Sequence, residues 1–199
     1  MKPKFSTLIA LTLLTAAFLS PFIFSPLYLP YLRETNFDLH ELLQREIYKL
    51  VTGYVSLFLI VVEIALTARK RGRGWLVSLR LPGSMQIWRS VHIFVGVALV
   101  ATTLVHTLGS HGLNFNATLL WVFFGVTLTA LVGVVAETGL LEYPHRYLNL
   151  TFALGDAGKF SKGTLIKKLR GIWLTSHIIL VNAFAVMLAF HIFLAYYYQ

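Results

Sequence analysis

The stretch IWRSVHIFVGVALVATTLVHTLGS, from Ile87 to Ser110, decides the fold together with a related stretch, IWLTSHIILVNAFAVMLAFHIFLAY, from Ile172 to Tyr196. Each is apolar and long enough to cross a bilayer as a helix, which takes about 20 residues. Both open with the pattern I-W-x-x-x-H-I. The two stretches therefore predict two transmembrane helices of similar design.

Each stretch carries two histidines at the same spacing. His92 and His106 are 14 residues apart, and so are His177 and His191. At about 100° per residue, such a pair returns to within roughly 40° of one direction, so it shares a helix face, with about 21 Å between its members along the axis. Two such helices facing each other offer two sites, each with one imidazole from either side. This geometry predicts two bis-histidine haems stacked in a membrane.

The composition is that of an integral membrane protein. Of the 199 residues, 57% are hydrophobic and 13% are charged, whereas about a quarter are charged in ordinary soluble proteins. The chain has no cysteine, which excludes disulfides, thiolate-bound iron–sulfur clusters and covalently attached c-type haem. The apolar residues fall in five runs of membrane-spanning length: Phe5–Phe24, Tyr48–Ala68, Ile87–Ser110, Ala117–Ala136 and Ile172–Tyr196. We expect one all-α domain over residues 1–199, a five-helix transmembrane bundle around two stacked haems.

The net charge of +9 arises from basic residues that lie between the apolar runs. We therefore read them as topology signals and expect no nucleic-acid partner. With five spans, three basic segments must share one side: Lys2 with Lys4, Arg69–Arg80 and Lys159–Arg170. The positive-inside rule then predicts a cytoplasmic N-terminus and an external C-terminus in a bacterial-type inner membrane.

Spans three and five then run in the same direction. In that arrangement, His92 and His177 share the inner level of the membrane, and His106 and His191 share the outer level. Antiparallel spans would instead place His92 opposite His191. The charge distribution thus supports, independently of the spacing, the histidine pairs that two haems require.

Two tryptophans and two arginines lie close to the histidines. Trp88 and Trp173 each precede the first histidine of their stretch by four residues, one turn away on the same face. They fit either an aromatic belt at the membrane surface or packing against a porphyrin edge. Arg89 lies three residues before its histidine and Arg170 seven before. Either could pair with a haem propionate, and ordinary positive-inside residues are the alternative.

Glu63 and His111 are further candidates. Glu63 lies inside the second span, where an acidic residue is a functional candidate by default, and snorkelling to Arg69 is the alternative. His111 follows His106 by five residues, so it is a poor axial ligand. It could instead meet a haem propionate or a quinol at the outer surface. We expect His145, in a loop, to be solvated.

The remaining segments connect the spans. Prolines at positions 21, 26 and 30 punctuate the first run, which we read as a retained span and not as a cleaved signal peptide. The connector Tyr31–Ile47 predicts a short amphipathic helix on the membrane surface. The segment Glu137–Gly171 contains several glycines, which predict an irregular loop.

The paired histidines on the third and fifth spans resemble the ferric-reductase-type transmembrane domain, within the wider cytochrome b superfamily. That family includes NADPH oxidases, ferric reductases and the haem-binding membrane subunit of the bacterial periplasmic methionine sulfoxide reductase. The resemblance covers Trp88–Tyr196 and rests on the histidines. It implies an inner haem b held by His92 and His177, and an outer haem b held by His106 and His191.

The family's sixth span and its flavin- and NADPH-binding domains do not follow span five, so we expect no flavin-dependent activity from this chain. We expect a dihaem cytochrome subunit of an oxidoreductase complex, with no catalytic residue of its own. It would carry electrons between quinol or one redox partner and another, with redox subunits on one or both membrane faces and lipid around it.

Two alternatives stay open. One is a quinol:acceptor oxidoreductase subunit with its own quinone site, in which Glu63 or His111 takes the quinol protons. The other is a haem-free membrane anchor, or a proton or metal transporter that uses the same histidines.

The orientation is testable with fusions. Alkaline phosphatase fused after Gln199 should be active and green fluorescent protein at the same place should be dark, because the positive-inside rule puts this end outside. Alkaline phosphatase inserted in the 72–82 linker should be inactive. The opposite pattern would exchange the inner and outer haems.

Overall fold

A computed structural model describes residues 3–71, 83–109, 113–142 and 162–197. Within these ranges the chain is all-helical, with six helices and no strand. Five of these helices are long and apolar enough to cross a membrane, which confirms the five predicted spans. The expectations for His111, His145 and the basic residues of 72–82 and 143–161 lie outside the described residues. The helices are α1 (Phe5–Thr35), α2 (Phe37–Gln44), α3 (Glu46–Arg71), α4 (Met85–Thr107), α5 (Phe115–Glu142) and α6 (Lys162–Tyr197).

Helix α1 is longer than the apolar run predicted. It passes through Pro21, Pro26 and Pro30 and ends at Thr35, so the first part of the expected connector is helical. A proline inside a helix lacks the N–H that would bond the carbonyl four residues earlier. In membrane helices, hydroxyl side chains can take over the carbonyl that is left.

Two serines in α1 do this for the first two prolines. Ser20 donates its hydroxyl to the Ala17 carbonyl at 2.7 Å, and Ser25 donates to the Phe22 carbonyl at 2.7 Å. These are the two carbonyls that the prolines at 21 and 26 deprive of a backbone partner. The serine before each proline therefore allows α1 to continue.

The chain divides into two compact units. The first comprises Met1–Pro3 and Leu14–Asn114, and the second comprises Lys4–Leu13 and Phe115–Gln199. Two consecutive long helices pack together in each, α3 with α4 and α5 with α6. The assignment of the whole chain to one domain stays a prediction.

Helices α3 and α4 are antiparallel. Near the start of α3, the Tyr48 hydroxyl donates to the Val105 carbonyl at the end of α4, at 2.8 Å. Near the other end of α3, Glu63 contacts His92 in the first half of α4. Contacts at both ends of the pair thus fix its register.

Helices α5 and α6 are also antiparallel. Asn116, at the start of α5, contacts His191 near the end of α6, and Glu137, near the end of α5, pairs with Arg170 near the start of α6. Helix α5 is the most buried of the described spans. Its buried stripe repeats every three or four residues, as one helix face does: Ala117, Leu120, Phe124, Thr127, Leu131, Val134 and Thr138.

Both ends of the predicted loop Glu137–Gly171 are helical, so that prediction was wrong there. The pairing of Glu137 with Arg170 gives these polar residues a partner between the two helices, so they do not need a solvated loop.

The connector after α1 forms the expected short helix, α2. The Asn36 side chain caps it by accepting the Leu39 N–H at 3.2 Å. Phe37, Leu39 and Leu42 are exposed.

Both ends of α4 have defined caps. Ser84 accepts a backbone N–H of the first turn. At the other end, Leu108 adopts a left-handed conformation with φ of 59°, and its N–H bonds the Leu104 carbonyl at 2.8 Å. Gly109 follows with φ of +123°, and a Cβ there would lie 2.5 Å from the Ser25 Cβ. Only glycine suits this position, because a side chain would be strained and would also clash.

Replacing Ser25 with alanine should lower the free energy of unfolding by about 1–3 kcal/mol, because it removes the hydroxyl that donates to the buried Phe22 carbonyl. Ser56→Ala is the matched control. Ser56 is also buried and donates to a carbonyl four residues earlier, at 3.0 Å, but that carbonyl keeps its backbone N–H. Unfolding in mixed micelles, followed by far-UV circular dichroism, measures both. Equal losses would contradict the role given to the serine–proline pairs.

Candidate functional site

His92 contacts a carboxylate from the neighbouring helix. Its Nδ1 lies against Glu63 Oε2 of α3. The other carboxylate oxygen lies over the next turn of α4, where a Cβ on Gly96 would be 3.8 Å from Oε1. The exposed fraction is 14% for the Glu63 side chain and 41% for His92. The acidic residue inside span two is therefore paired with one of the predicted ligands; the side chain of Arg69, its other expected partner, lies outside the described residues.

His106 contacts a hydroxyl from the same helix. Thr52 Oγ1 lies 3.0 Å from His106 Nδ1. Thr52 donates its own proton to the Tyr48 carbonyl at 2.7 Å, so the hydroxyl oxygen accepts from the imidazole. Next to it, a Cβ on Gly53 would lie 3.2 Å from His106 Cε1. The ring thus packs against a position that has no side chain.

The backbone around His106 is held by donors from two helices. The last carbonyls of a helix have no partner within it. Here three side chains donate to them: Lys49 to His106 at 2.8 Å, Tyr48 to Val105 at 2.8 Å, and Tyr28 to Leu108. The ammonium group of Lys49 also complements the negative end of the helix dipole. Side chains of α1 and α3 thus hold the last turn of α4, which contains His106.

The two histidines of α6 contact α5 in the same way. His177 Nδ1 lies 3.1 Å from the Val126 carbonyl oxygen. His191 Nδ1 lies 2.9 Å from Asn116 Oδ1, near the start of α5. A carbonyl oxygen only accepts, so both rings carry their proton on Nδ1.

All four predicted ligands therefore share one arrangement. In His92, His106, His177 and His191, Nδ1 donates to an oxygen atom of the long helix that precedes in the chain. Metal-bound histidines almost always donate their second ring N–H to a carboxylate, a carbonyl or water, which fixes the tautomer and the ring orientation. This tautomer presents Nε2 as the ligand atom, so the residues present fit bis-imidazole ligation.

No sequence pattern singles out Thr52, Val126 or Asn116. The usable signal for Thr52 and Asn116 is a polar residue on the adjacent antiparallel span, at the depth of a histidine. Val126 acts through its backbone carbonyl and leaves no such signal.

Trp173 packs against α5. A Cβ on Gly133 would come within 2.5 Å of Trp173 Cδ2, so the indole lies directly on the glycine. Its Nε1 is buried and has no hydrogen-bond partner among the described residues. Trp88 lies beside Gly83: a Cβ added at Gly83 would be 3.4 Å from Trp88 Nε1. The buried N–H of Trp173 calls for an acceptor outside the described side chains.

Of the two arginines expected near haem propionates, Arg170 pairs with Glu137. The Glu137 side chain is buried, with an exposed fraction of 7%, so this carboxylate provides the charge partner for Arg170 within the same unit. Arg89 is exposed, one turn before His92.

Among the described residues, no group of three or more histidine, aspartate or glutamate side chains could hold a metal ion. Axial ligation of a haem iron takes only two side chains, so this finding does not bear on it. Comparisons with protein-family models, curated proteins and solved structures find no match to this chain. The resemblance to ferric-reductase-type domains thus rests on the histidine pattern alone.

Gly133→Ala should lower the free energy of unfolding by about 1–3 kcal/mol, because the added methyl group overlaps the Trp173 indole. Gly125→Ala is the matched control on the same helix. There the Cβ would lie 3.5 Å from Leu180 Cδ1, an ordinary contact, and the change should stay within about 0.5 kcal/mol. Unfolding in micelles followed by tryptophan fluorescence compares the two. A harmless Gly133→Ala would contradict the packing of Trp173.

Proposed function

We propose that this protein is a membrane dihaem cytochrome b subunit that carries electrons across the bilayer. The observation that supports this is the common arrangement of the four histidines. Each lies in a membrane-length helix and donates its Nδ1–H to an oxygen of the adjacent helix. Four histidines with unrelated packing roles have no reason to share one tautomer and one kind of partner.

In this proposal the ligands act in pairs through Nε2. His92 and His177 hold the inner haem b, and His106 and His191 hold the outer one. The pairing follows from the basic segments, which favour parallel third and fifth spans. Two histidines 14 residues apart on one helix lie about 21 Å apart along its axis, so they cannot share an iron atom.

When bound, a haem held by two of these imidazoles would supply one-electron transfer chemistry. Oxygen atoms of the adjacent helices orient the imidazoles. We propose that Trp173, through its buried Nε1–H, and Arg89 donate to haem carboxylates, with Trp88 packing near the porphyrin edge. We leave Arg170 out of this set because it pairs with Glu137.

Donor and acceptor are proposed to be quinol and separate redox subunits at one or both faces of a bacterial-type inner membrane. Such a subunit forms part of an oxidoreductase complex and makes or breaks no substrate bond itself. We assign Glu63 to His92 and not to a quinol site, because its carboxylate contacts the imidazole.

The purified chain should hold two haems, measured as the pyridine haemochrome. Acid–acetone should extract both, because the chain has no cysteine to attach them. Retained pigment, or a single haem per chain, would contradict the proposal.

Leucine variants of the four histidines test the pairs. His92→Leu and His177→Leu should each remove the same component of the redox titration, and His106→Leu and His191→Leu should each remove the other. His40→Leu, in α2, is the control and should keep both. If His92→Leu and His106→Leu removed the same component, the pairing would be wrong.

A further inference from the structure

We infer that Glu63 is a positioning residue for His92 and that its negative charge gives the haems ligated by the two histidines of α4 different reduction potentials. Its carboxylate holds the imidazole and lowers the reduction potential of the haem that His92 ligates, relative to the haem of His106. This inference rests on the proposed haem function and adds a role for a residue outside the ligand set.

The geometry places the carboxylate against α4. Glu63 lies toward the end of α3, with 14% of its side chain exposed. One oxygen contacts His92 Nδ1, and the other lies over Gly96, one turn further along α4. The carboxylate therefore spans the turn of α4 from His92 to Gly96.

Of the four acceptors, only the Glu63 carboxyl group is of a kind that can carry a full charge. The others are the Thr52 hydroxyl, the Val126 carbonyl and the Asn116 amide oxygen, and all of these are neutral. An acidic residue at membrane depth is costly and rare. A neutral acceptor would suffice to orient the ring, as it does for the other three histidines. The charge therefore needs a reason beyond orientation.

A negative acceptor changes the ligand as well as its orientation. Hydrogen bonds to a carboxylate are shorter and stronger than those between neutral groups, and they raise the basicity of a metal-bound imidazole. In a surrounding of low dielectric constant, a nearby negative charge interacts strongly with the iron. Both effects favour the oxidised iron, which carries one more positive charge. The reduction potential is thereby lowered at His92 and not at His106.

The consequence is an ordered pair of electron carriers. A potential that is lower at one haem than at the other gives the transfer between them a preferred direction. In the proposed topology, the lower potential belongs to the inner level, where His92 lies.

The experiment is a redox titration of the full chain in lipid nanodiscs, with haem bound. The component that His92→Leu removes identifies the relevant haem. Glu63→Gln keeps the size and an acceptor oxygen but removes the charge. We expect the reduction equilibrium of this component to shift toward the reduced form by about tenfold, or ~59 mV for one electron, with the other component unmoved.

Two further variants separate charge from structure. Glu63→Asp keeps the charge but withdraws it from Nδ1, so it should move the same component in the same direction by a smaller amount. It also keeps the inference testable if Glu63→Gln does not fold. Thr52→Val removes the neutral acceptor of His106. It should leave the His92 component unmoved.

The outcomes distinguish the two proposals. A wild-type chain that binds no haem overturns the proposed function. If the chain binds two haems and neither potential changes from the wild type to Glu63→Gln and Glu63→Asp, the role of Glu63 is overturned but the proposed function is not. A shift of both components by equal amounts also overturns it, because a general disturbance of the bundle would do the same.

Discussion

The structure depends on one kind of interaction, an imidazole N–H of one transmembrane helix donating to an oxygen of the antiparallel helix before it. In lipid, an imidazole without a partner is costly, and few polar atoms are within reach. Each such bond therefore fixes both the rotation of the histidine helix and its register against its neighbour. His92 with Glu63 and His106 with Thr52 do this at two depths of the first pair. His177 with Val126 and His191 with Asn116 do so in the second.

The two helix pairs have a common design built from different residues. In each, the first helix supplies two acceptors and the second supplies two histidines 14 residues apart. The acceptors differ in kind, because any oxygen with a lone pair can receive the N–H. Charge is where the pairs diverge. Glu63 contacts a histidine, whereas Glu137 pairs with an arginine, Arg170.

Sequence patterns predicted the five spans, which the helices confirm, and singled out the four histidines as candidate ligands, because both signals are local. A membrane-length apolar run and a 14-residue spacing can be read along one helix. Partners across helices could not be predicted in this way. Placing Glu63 on His92 requires the register of α3 against α4, which the sequence does not state. The predicted ends of the helices were wrong for a related reason. Pro21 and Pro26 suggest breaks in a helix unless Ser20 and Ser25 are recognised as replacement donors. Glu137 and Arg170 suggest a loop unless their pairing is known.

The closure of these bonds within each helix pair has a consequence for biogenesis. Each of the four histidines of α4 and α6 has its acceptor in the span synthesised just before its own, so its ring can be oriented as soon as that hairpin has inserted. Under the proposed function, a porphyrin that binds after insertion would bind to imidazoles whose rotamers are already fixed. The entropy of ordering these side chains is then lost during insertion and not at cofactor capture, which favours tight retention of the pigment.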